Sequence, residues 1–574
     1  MKTRVVLNDA YKRFTLDQDK VLPPEETVKQ FKKKLNQIDL DILKDTVRID
    51  NGRLNIPVFI SYYGQDAKNV TGGKKQMGKG ATPGQAEASA VMELAERFSL
   101  FSFKNNPHNF IVEKYRNIKD KAIDFHMIAQ SVHDENKDQN LMEKIFEDLP
   151  LKWTWATNLT QNKEILIPFD WFFNINEFNG SCAGNCVEEA ICQGICEIVE
   201  RHTSSLISHK RIKHAAINPN SATDPLVLEM LDKYKNTGIK LYITDFTLEM
   251  GIPSVGILAY DPSTFPEKSE IVWTAGTTPN PQKALSRALT EIAQLGGDFN
   301  TGSCYVASGL PKFTSIEDAG FIINSDKIVD INTLPDISDD NIKLEVQNCI
   351  SALAEKRMDV IVLDTMHPLL KIPTFYIIIP GAHFRERSKG ADVGMFVTKL
   401  LTENNDPKHA INELNQIKKL IPEKYYINFY LGQCFLSLGE PQTALDHFSA
   451  SFNQNPEKQD IVSIYSYMGI CFKDMGKYQK ALRVLKEGES LDKERTDIYN
   501  LMGFCYFKLK EYEKAIGCFK KVLKLDPSSA IDYANIASNY RDMGQNEKAI
   551  EYYLKALGLD PTIEFARKGL EKLQ

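Results

Sequence analysis

Several things are scarce in this 574-residue chain, and each scarcity excludes something. No apolar run approaches the roughly 20 residues that a membrane-spanning helix needs; YIIIPG at 376–381 is only strand-sized. The opening residues, MKTRVVLNDAYKRF, lack the apolar core of a secretory signal, so a cytoplasmic location is expected. Basic charge is not in excess. Lys and Arg number 70 against 76 Asp and Glu, a net charge of −6, which argues against nucleic acid or an anionic membrane as partner. The phosphate-loop pattern GxxxxGK[ST] is missing, and so is the protein-kinase signature set. The ExxH histidines of a di-iron carboxylate site are missing too.

Cysteine usage excludes a further class. Ten cysteines are spread along the chain, six of them in helix-like or core-like contexts, so no disulfide framework is expected. Cys182, Cys186, Cys192 and Cys196 do fall close together, but as CxxxC twice and not as the CxxC of zinc ribbons. A metal or iron–sulfur site is one reading of these four. Small buried residues is the favoured one. What remains is an ordinary globular composition, 43% hydrophobic and 25% charged, with length enough for two to four domains.

The rest of the chain is organised around residues 78–98, GKGATPGQAEASAVMELAERF. A glycine-bearing loop carrying Lys79 leads into a helix pattern. Ser89, Glu93, Glu96 and Arg97 share one face of that helix, in an otherwise apolar background. Buried carboxylates are costly unless they are paired or bind a cation. The pattern echoes twice. Glu189, Gln193, Glu197, Glu200 and Arg201 line one face of a second helix, which follows Asn185. Arg287, Glu291 and Gln294 give a shorter version on a third. Taken singly, Glu93–Arg97 and Glu197–Arg201 read as i,i+4 pairs that merely stabilise a helix. Three such helices in one chain point instead to one shared polar site. Clustered carboxylates suit Mg²⁺, and guanidinium groups suit phosphate oxygens.

Around these helices the patterning alternates between the two periods. A polar, lysine-rich helix is expected over 25–45, and an alternating stretch with a hairpin signal, Asp50-Asn51-Gly52, over 46–63. Helical pieces are expected at 117–130 and 136–146, then strands at 153–159 and 164–173. The second acidic helix is placed at 185–207, a helix at 225–237, and strands at 239–247, 254–261 and 271–278. The third acidic helix follows at 281–296, then a helix at 340–357 and strands at 358–365 and 372–381. Interleaved strands and helices predict an α/β or α+β domain over residues 1–390.

Beyond about residue 390 strand signals vanish and a repeat appears. The frame is Leu431, Gly432, Phe435, Ala444 and Phe448, then Met468, Gly469, Phe472, Ala481 and Leu485. It returns as Met502, Gly503, Tyr506, Ala515 and Phe519, and last as Ile536, Ala537, Tyr540, Ala549 and Tyr553. These resemble tetratricopeptide repeats at 425–458, 462–495, 496–529 and 530–563, an all-α solenoid. A degenerate copy or linker is expected at 391–424, and a capping helix at 564–574. Such arrays bury their apolar faces by stacking and commonly present a binding surface.

The three acidic stretches together, GKGATPGQAEASAVMELAERF, SCAGNCVEEAICQGICEIVERH and ALSRALTEIAQ, resemble the YcaO family over most of residues 50–385. The resemblance implies a distinctive ATP-binding α/β fold with ATP and Mg²⁺ as cofactors. It implies phosphorylation of a peptide backbone amide oxygen, attack by a nucleophile on the activated carbon, and departure of phosphate. The product is an azoline, a thioamide or an amidine. It also implies Glu93, Glu96, Glu197 and Glu200 as Mg²⁺ ligands or their neighbours. Ser89, Asn185, Glu189, Arg201, Arg287, Glu291 and Gln294 would contact ATP or orient those ligands, with Lys79 and Arg97 as further candidates. Azoline-forming members end in a PxPxP tail, whereas this sequence ends in GLEKLQ. That puts azoline formation in doubt. A YcaO domain followed by helical repeats resembles the members linked to ribosomal protein S12 methylthiolation, and thioamide-forming members also lack the tail. The sequence leaves both outcomes open. The partners expected are a peptide or protein substrate, a TfuA-like or other accessory protein at the repeats, and a second copy in a homodimer. The alternative is a non-catalytic ATP-binding scaffold that acts through its repeats.

Overall fold

The computed structural model describes residues 4–72, 76–136, 138–302, 305, 310–384 and 391–573. It divides into two compact units, Met1–Val393 and Gly394–Gln574. The first is mixed α/β and the second is all helix. No helix among the described residues is long and apolar enough to cross a membrane.

Among the described residues, three sheets carry the first unit. Strands Leu43–Arg48, Val58–Tyr63 and Gln76–Lys79 form an antiparallel three-stranded sheet. A five-stranded sheet runs in the spatial order Val272–Thr277, Ser254–Tyr260, Lys240–Asp245, Ala216–Asn218, Ile328–Asp330, antiparallel except for its last pair. The third sheet orders Ile111–Lys114, Pro150–Asn158, Ile361–Asp364, Thr374–Ile378 and Ser181–Ala183, with Lys163–Pro168 also paired to Pro150–Asn158.

Each acidic helix springs from a strand of a different sheet, and each junction is built the same way. Pro83–Asn105 follows Gln76–Lys79, Val187–Lys210 follows Ser181–Ala183, and Pro281–Gly296 follows Val272–Thr277. Helix starts are satisfied by side chains: Thr82, Cys186 and Asn280 accept hydrogen bonds from backbone N–H groups of the first turn. Behind each start a glycine lies against helix backbone. A Cβ on Gly78 would fall 2.1 Å from Ala90 N, one on Gly184 would fall 2.5 Å from Ala190 N, and one on Gly276 would fall 2.5 Å from Ala284 O. The missing side chain lets strand and helix approach closely.

The sequence expectations need four adjustments. The stretch 117–130 is not one helix but two short ones, Tyr115–Ile118 and Phe125–Ser131, with non-helical residues between them. Residues 169–173 are not strand. The strand ends at Pro168, whose ring has no N–H for the ladder, and the helix Phe169–Asn176 follows, burying Phe169, Trp171 and Phe172. The lysine-rich helix is Pro24–Leu35, shorter than expected, because residues 43–48 are claimed by the first sheet. The Asp50-Asn51-Gly52 segment lies in a wide connection between paired strands, where Asp50 accepts from Arg48 and from Val58 N.

The second unit stacks helix pairs. The pairs are Tyr425–Ser437 with Pro441–Phe452, Lys458–Asp474 with Tyr478–Leu491, Thr496–Lys508 with Tyr512–Leu525, and Ala530–Asp542 with Asn546–Leu559. Residues 391–424 also hold two helices, Val393–Asn404 and Pro407–Leu420. The repeated glycine has a packing cause. Added Cβ atoms on Gly432, Gly469 and Gly503 would lie 2.7, 2.5 and 2.6 Å from Phe448, Leu485 and Phe519 of the paired helix. A large residue on one helix thus fills the space a glycine leaves on the other.

A histidine cluster underlies the second acidic helix and makes stability pH-dependent. The rings of His133 and His383 stack at 3.7 Å, and His383 N–H donates to His202 Nδ1 at 3.0 Å. Burial and the charge of His133 push His202 down to about 4, and burial with the same neighbours pushes His383 to about 3. These rings are neutral when folded, whereas an unfolded histidine titrates near 6.5. Stability is therefore complete above pH 6.5 and is lost as pH falls toward 4. From His202 alone, about 2 kcal/mol is gone by pH 5. A His202→Asn variant should show a shallower fall in thermal midpoint between pH 7 and 5 than the parent protein.

Candidate active site

The three acidic helices converge on one cleft of about 260 Å³. Every site residue named from the sequence lines it: Lys79, Ser89, Glu93, Glu96, Arg97, Asn185, Glu189, Glu197, Glu200, Arg201, Arg287, Glu291 and Gln294. The 3.6-residue period had put these groups on one face of each helix, and the strand–glycine–helix junctions turn those faces toward each other.

The first two helices present the same motif in the same geometry. Arg97 Nη1 lies 3.3 Å from Glu96 and Nη2 lies 3.8 Å from Glu93; Arg201 Nη1 lies 3.1 Å from Glu200 and Nη2 lies 3.6 Å from Glu197. In both helices the i,i+4 contact is the longer of the two, and the shorter is to the adjacent glutamate of the same helix. Arg97 also stacks on Phe178, 4.4 Å from the ring centre. The third helix closes the site. Arg287 donates to Gln193 Oε1 at 3.0 Å and reaches Glu200 at 3.4 Å, and Glu291 meets Lys79. Asn185 Nδ2 donates to Glu189 at 3.1 Å, and Glu189 also accepts from Val21 N and lies 3.4 Å from Lys20.

Both signs of charge are strained here. Loss of solvent in the cleft raises Glu93, and it pushes Glu96 up to about 8, with Arg97 opposing and Glu197 and Glu93 adding to the rise. Lys79 is pushed down to about 7, by loss of solvent and then by the charge of Arg287. Arg201 Nε is buried and meets no partner among the described residues. A divalent cation relieves the carboxylates, and phosphate oxygens relieve the lysine and arginines. The residues present therefore fit a Mg²⁺-nucleotide.

Sequence reasoning missed the segment that closes the other side. Asp17, Gln18, Lys20, Thr27 and Gln85 also line the cleft. Asp17 is buried, accepts from Ala81 N and from Ser286 Oγ, and so ties the first junction to the third helix. Thr27 Oγ1 donates to Asn185 at 3.0 Å. Residues 14–21 have neither helical nor strand period, so no pattern in the sequence marked them.

The four clustered cysteines do not form one site. Cys182 is buried beneath Gly194, its Sγ bonded to Phe375 O, and Cys186 caps a helix; neither belongs to the group that brings Cys192 and Cys196 together with Cys349. Cys304 lies outside the described residues.

Fold and site together define a nucleotide- and Mg²⁺-binding α/β domain without a phosphate loop, joined to helical repeats. The family model for YcaO cyclodehydratase, ATP- and Mg²⁺-binding, matches residues 77–383, and the chain belongs to the YcaO family. Tetratricopeptide-repeat models match residues 496–529 and 533–563. An uncharacterized protein of Methanothermobacter thermautotrophicus is 24% identical over 384 residues, covering 62% of this chain and 93% of its own. An "uncharacterized protein in tfuA 3′ region" of Rhizobium leguminosarum bv. trifolii is 23% identical over 347 residues, covering 55% of this chain and 79% of its own. Among solved structures, YcaO from Methanopyrus kandleri bound with AMPPCP and Mg²⁺ is similar in fold, with a TM-score of 0.51 and 19% identity. It covers 67% of this chain and 98% of that one. ATP and Mg²⁺ are the cofactors of this family.

Proposed function

We propose that the chain uses Mg·ATP to activate a backbone amide of a peptide or protein for substitution. One observation carries the reading. Three helices bring carboxylates and cationic groups into a single cleft, where the carboxylates outnumber the cations and loss of solvent pushes Glu96 up to about 8 and Lys79 down to about 7. Glu93, Glu96, Glu197 and Glu200 are the proposed cation ligands. Lys79, Arg97, Arg201 and Arg287 are proposed to hold phosphate oxygens and to offset charge that develops on them. Ser89, Asn185, Glu189, Glu291 and Gln294 are proposed to contact the nucleotide or to orient those groups. Bound Mg·ATP supplies the phosphoryl group that makes the amide oxygen a leaving group.

Thioamidation is the outcome we favour among the family's products, with a TfuA-like accessory protein recruited by the repeats. The Rhizobium relative, placed by its name in a tfuA 3′ region, matches 55% of this chain and supports this choice, whereas the S12 methylthiotransferase accessory factor YcaO of Escherichia coli, 27% identical, matches only 24%. The test is to incubate the full chain with Mg·ATP, a sulfide source, a TfuA-like protein and candidate peptides. Phosphate release in step with a sulfur-for-oxygen mass gain in the peptide is expected. Nucleotide binding and partner binding with no peptide change under any condition would favour the scaffold reading.

A further inference from the structure

Cys192 and Cys196 stand one turn apart on Val187–Lys210, and Cys349 meets them from the helix Ile342–Glu355. Their sulfurs all lie within 4.8 Å of one another, and the residues are 7%, 2% and 0% exposed. We infer that these three thiols form a binding site for one thiophilic divalent cation of the Zn²⁺ class, separate from the carboxylate cleft.

The dimensions suit the ion. A Zn–S bond of about 2.3 Å brings three coordinating sulfurs to within about 4 Å of each other. Small rotations of three side chains reach that spacing from the one observed. The helical step supplies two ligands on one face, and the neighbouring helix supplies the third.

A fourth position is also provided. A cavity of about 40 Å³ borders Cys192 and Cys196, with Lys20, Lys283 and Glu345 also in its wall. A water needs only about 10–15 Å³ of such space. Cys349 is not in the wall of that cavity, so solvent there would complete the tetrahedron that Zn²⁺ prefers from the side of Cys192 and Cys196. The same cavity shares Gln18, Lys20, Glu189 and Gln193 with the main cleft. Charge selects among thiophilic ions. Three thiolates with a divalent ion leave one net negative charge, and with a monovalent ion they leave two. The interior tolerates the first better.

The plain alternative is that these thiols only fill space. The two readings separate by experiment. The full chain, stripped with chelator, is titrated with Zn²⁺ and, as a spectroscopic probe, Cd²⁺. One ion per chain with thiolate charge-transfer absorption is expected, and X-ray absorption of the zinc-loaded protein should show three sulfur neighbours. Cys349→Ala should weaken binding at least about tenfold and lower the sulfur count. Cys186→Ser, outside the cluster and still a helix cap, should change neither. Zinc held only by oxygen or nitrogen, or a sulfur count unaltered in a folded Cys349→Ala protein, overturns the inference. Should that variant not fold, anomalous scattering from a zinc-loaded crystal of the parent protein decides: an ion absent from beside Cys349 overturns it equally.

Discussion

Replacing Glu197 by alanine is expected to weaken Mg²⁺-dependent ATP binding about a hundredfold. Glu197 lies in the cleft with Glu93, Glu96 and Glu200, and Arg201 is 3.6 Å away. A unit charge about 4 Å from a cation is worth about 4 kcal/mol per cationic charge at an effective dielectric of 20. Mg²⁺ keeps much of its water, so we take about 3 kcal/mol as the net loss, which is about two decades in affinity. Calorimetric titration with a non-hydrolysable ATP analogue, with and without Mg²⁺, reads it directly. Glu87 sits on the same helix as Glu93 but pairs with Lys32 and Thr46 outside the cleft, so Glu87→Ala should bind as the parent does. Affinity unchanged in Glu197→Ala would remove Glu197 from the cation site.

The same site should show a pH signature. Glu96 is pushed up to about 8, so below that pH its carboxyl is largely protonated before a cation enters. Binding must then displace a proton. Mg²⁺ affinity should climb as pH rises from 6.5 toward 8 and level off above. A flat profile over that interval is the contrary result.

The second large effect is expected from Gly78→Ala, a change of one methyl group. The new Cβ would lie 2.1 Å from Ala90 N and 2.3 Å from Ala86 O. Those are backbone atoms of a helix that cannot rotate away, so the strand Gln76–Lys79 must lift off. Overpacking of this kind costs about 3 kcal/mol. Lys79, the next residue, would leave its place beside Glu291, so nucleotide affinity should fall along with thermal stability. Gly558→Ala is the comparison, because a Cβ there meets nothing within 4 Å. It should be neutral or slightly stabilising, since alanine favours a helix over glycine. Equal behaviour of the two variants would show that close packing at the first junction does not support the site.

Much of this arrangement was legible in residue order, for particular reasons. Glu93, Glu96 and Arg97 fall on one face because a helix turns once in 3.6 residues, and that holds in any tertiary setting. Gly432, Gly469 and Gly503 recur in register because each repeat copies one helix–helix contact. Local chemistry misled where two patterns overlap: FDWFF reads as an apolar strand, yet Pro168 breaks the ladder and a short helix takes those residues. Asp17 was illegible. Its value comes from accepting hydrogen bonds from Ala81 N and Ser286 Oγ, partners far away in the chain, and nothing around it repeats.

By itself, then, the order of residues determined three acidic helix faces, an α/β half, a repeat half, and the family to which the chain belongs. Only the tertiary structure decided that those faces meet, that residues 17–27 close the cleft, and that Cys349 and not Cys182 or Cys186 joins Cys192 and Cys196. The physical reason is the same in each case. Which side chains share a face follows from backbone geometry over a few residues, whereas which faces meet depends on close contacts, such as Gly78 on Ala90 and Gly276 on Ala284, between strands and helices that packing alone brings together.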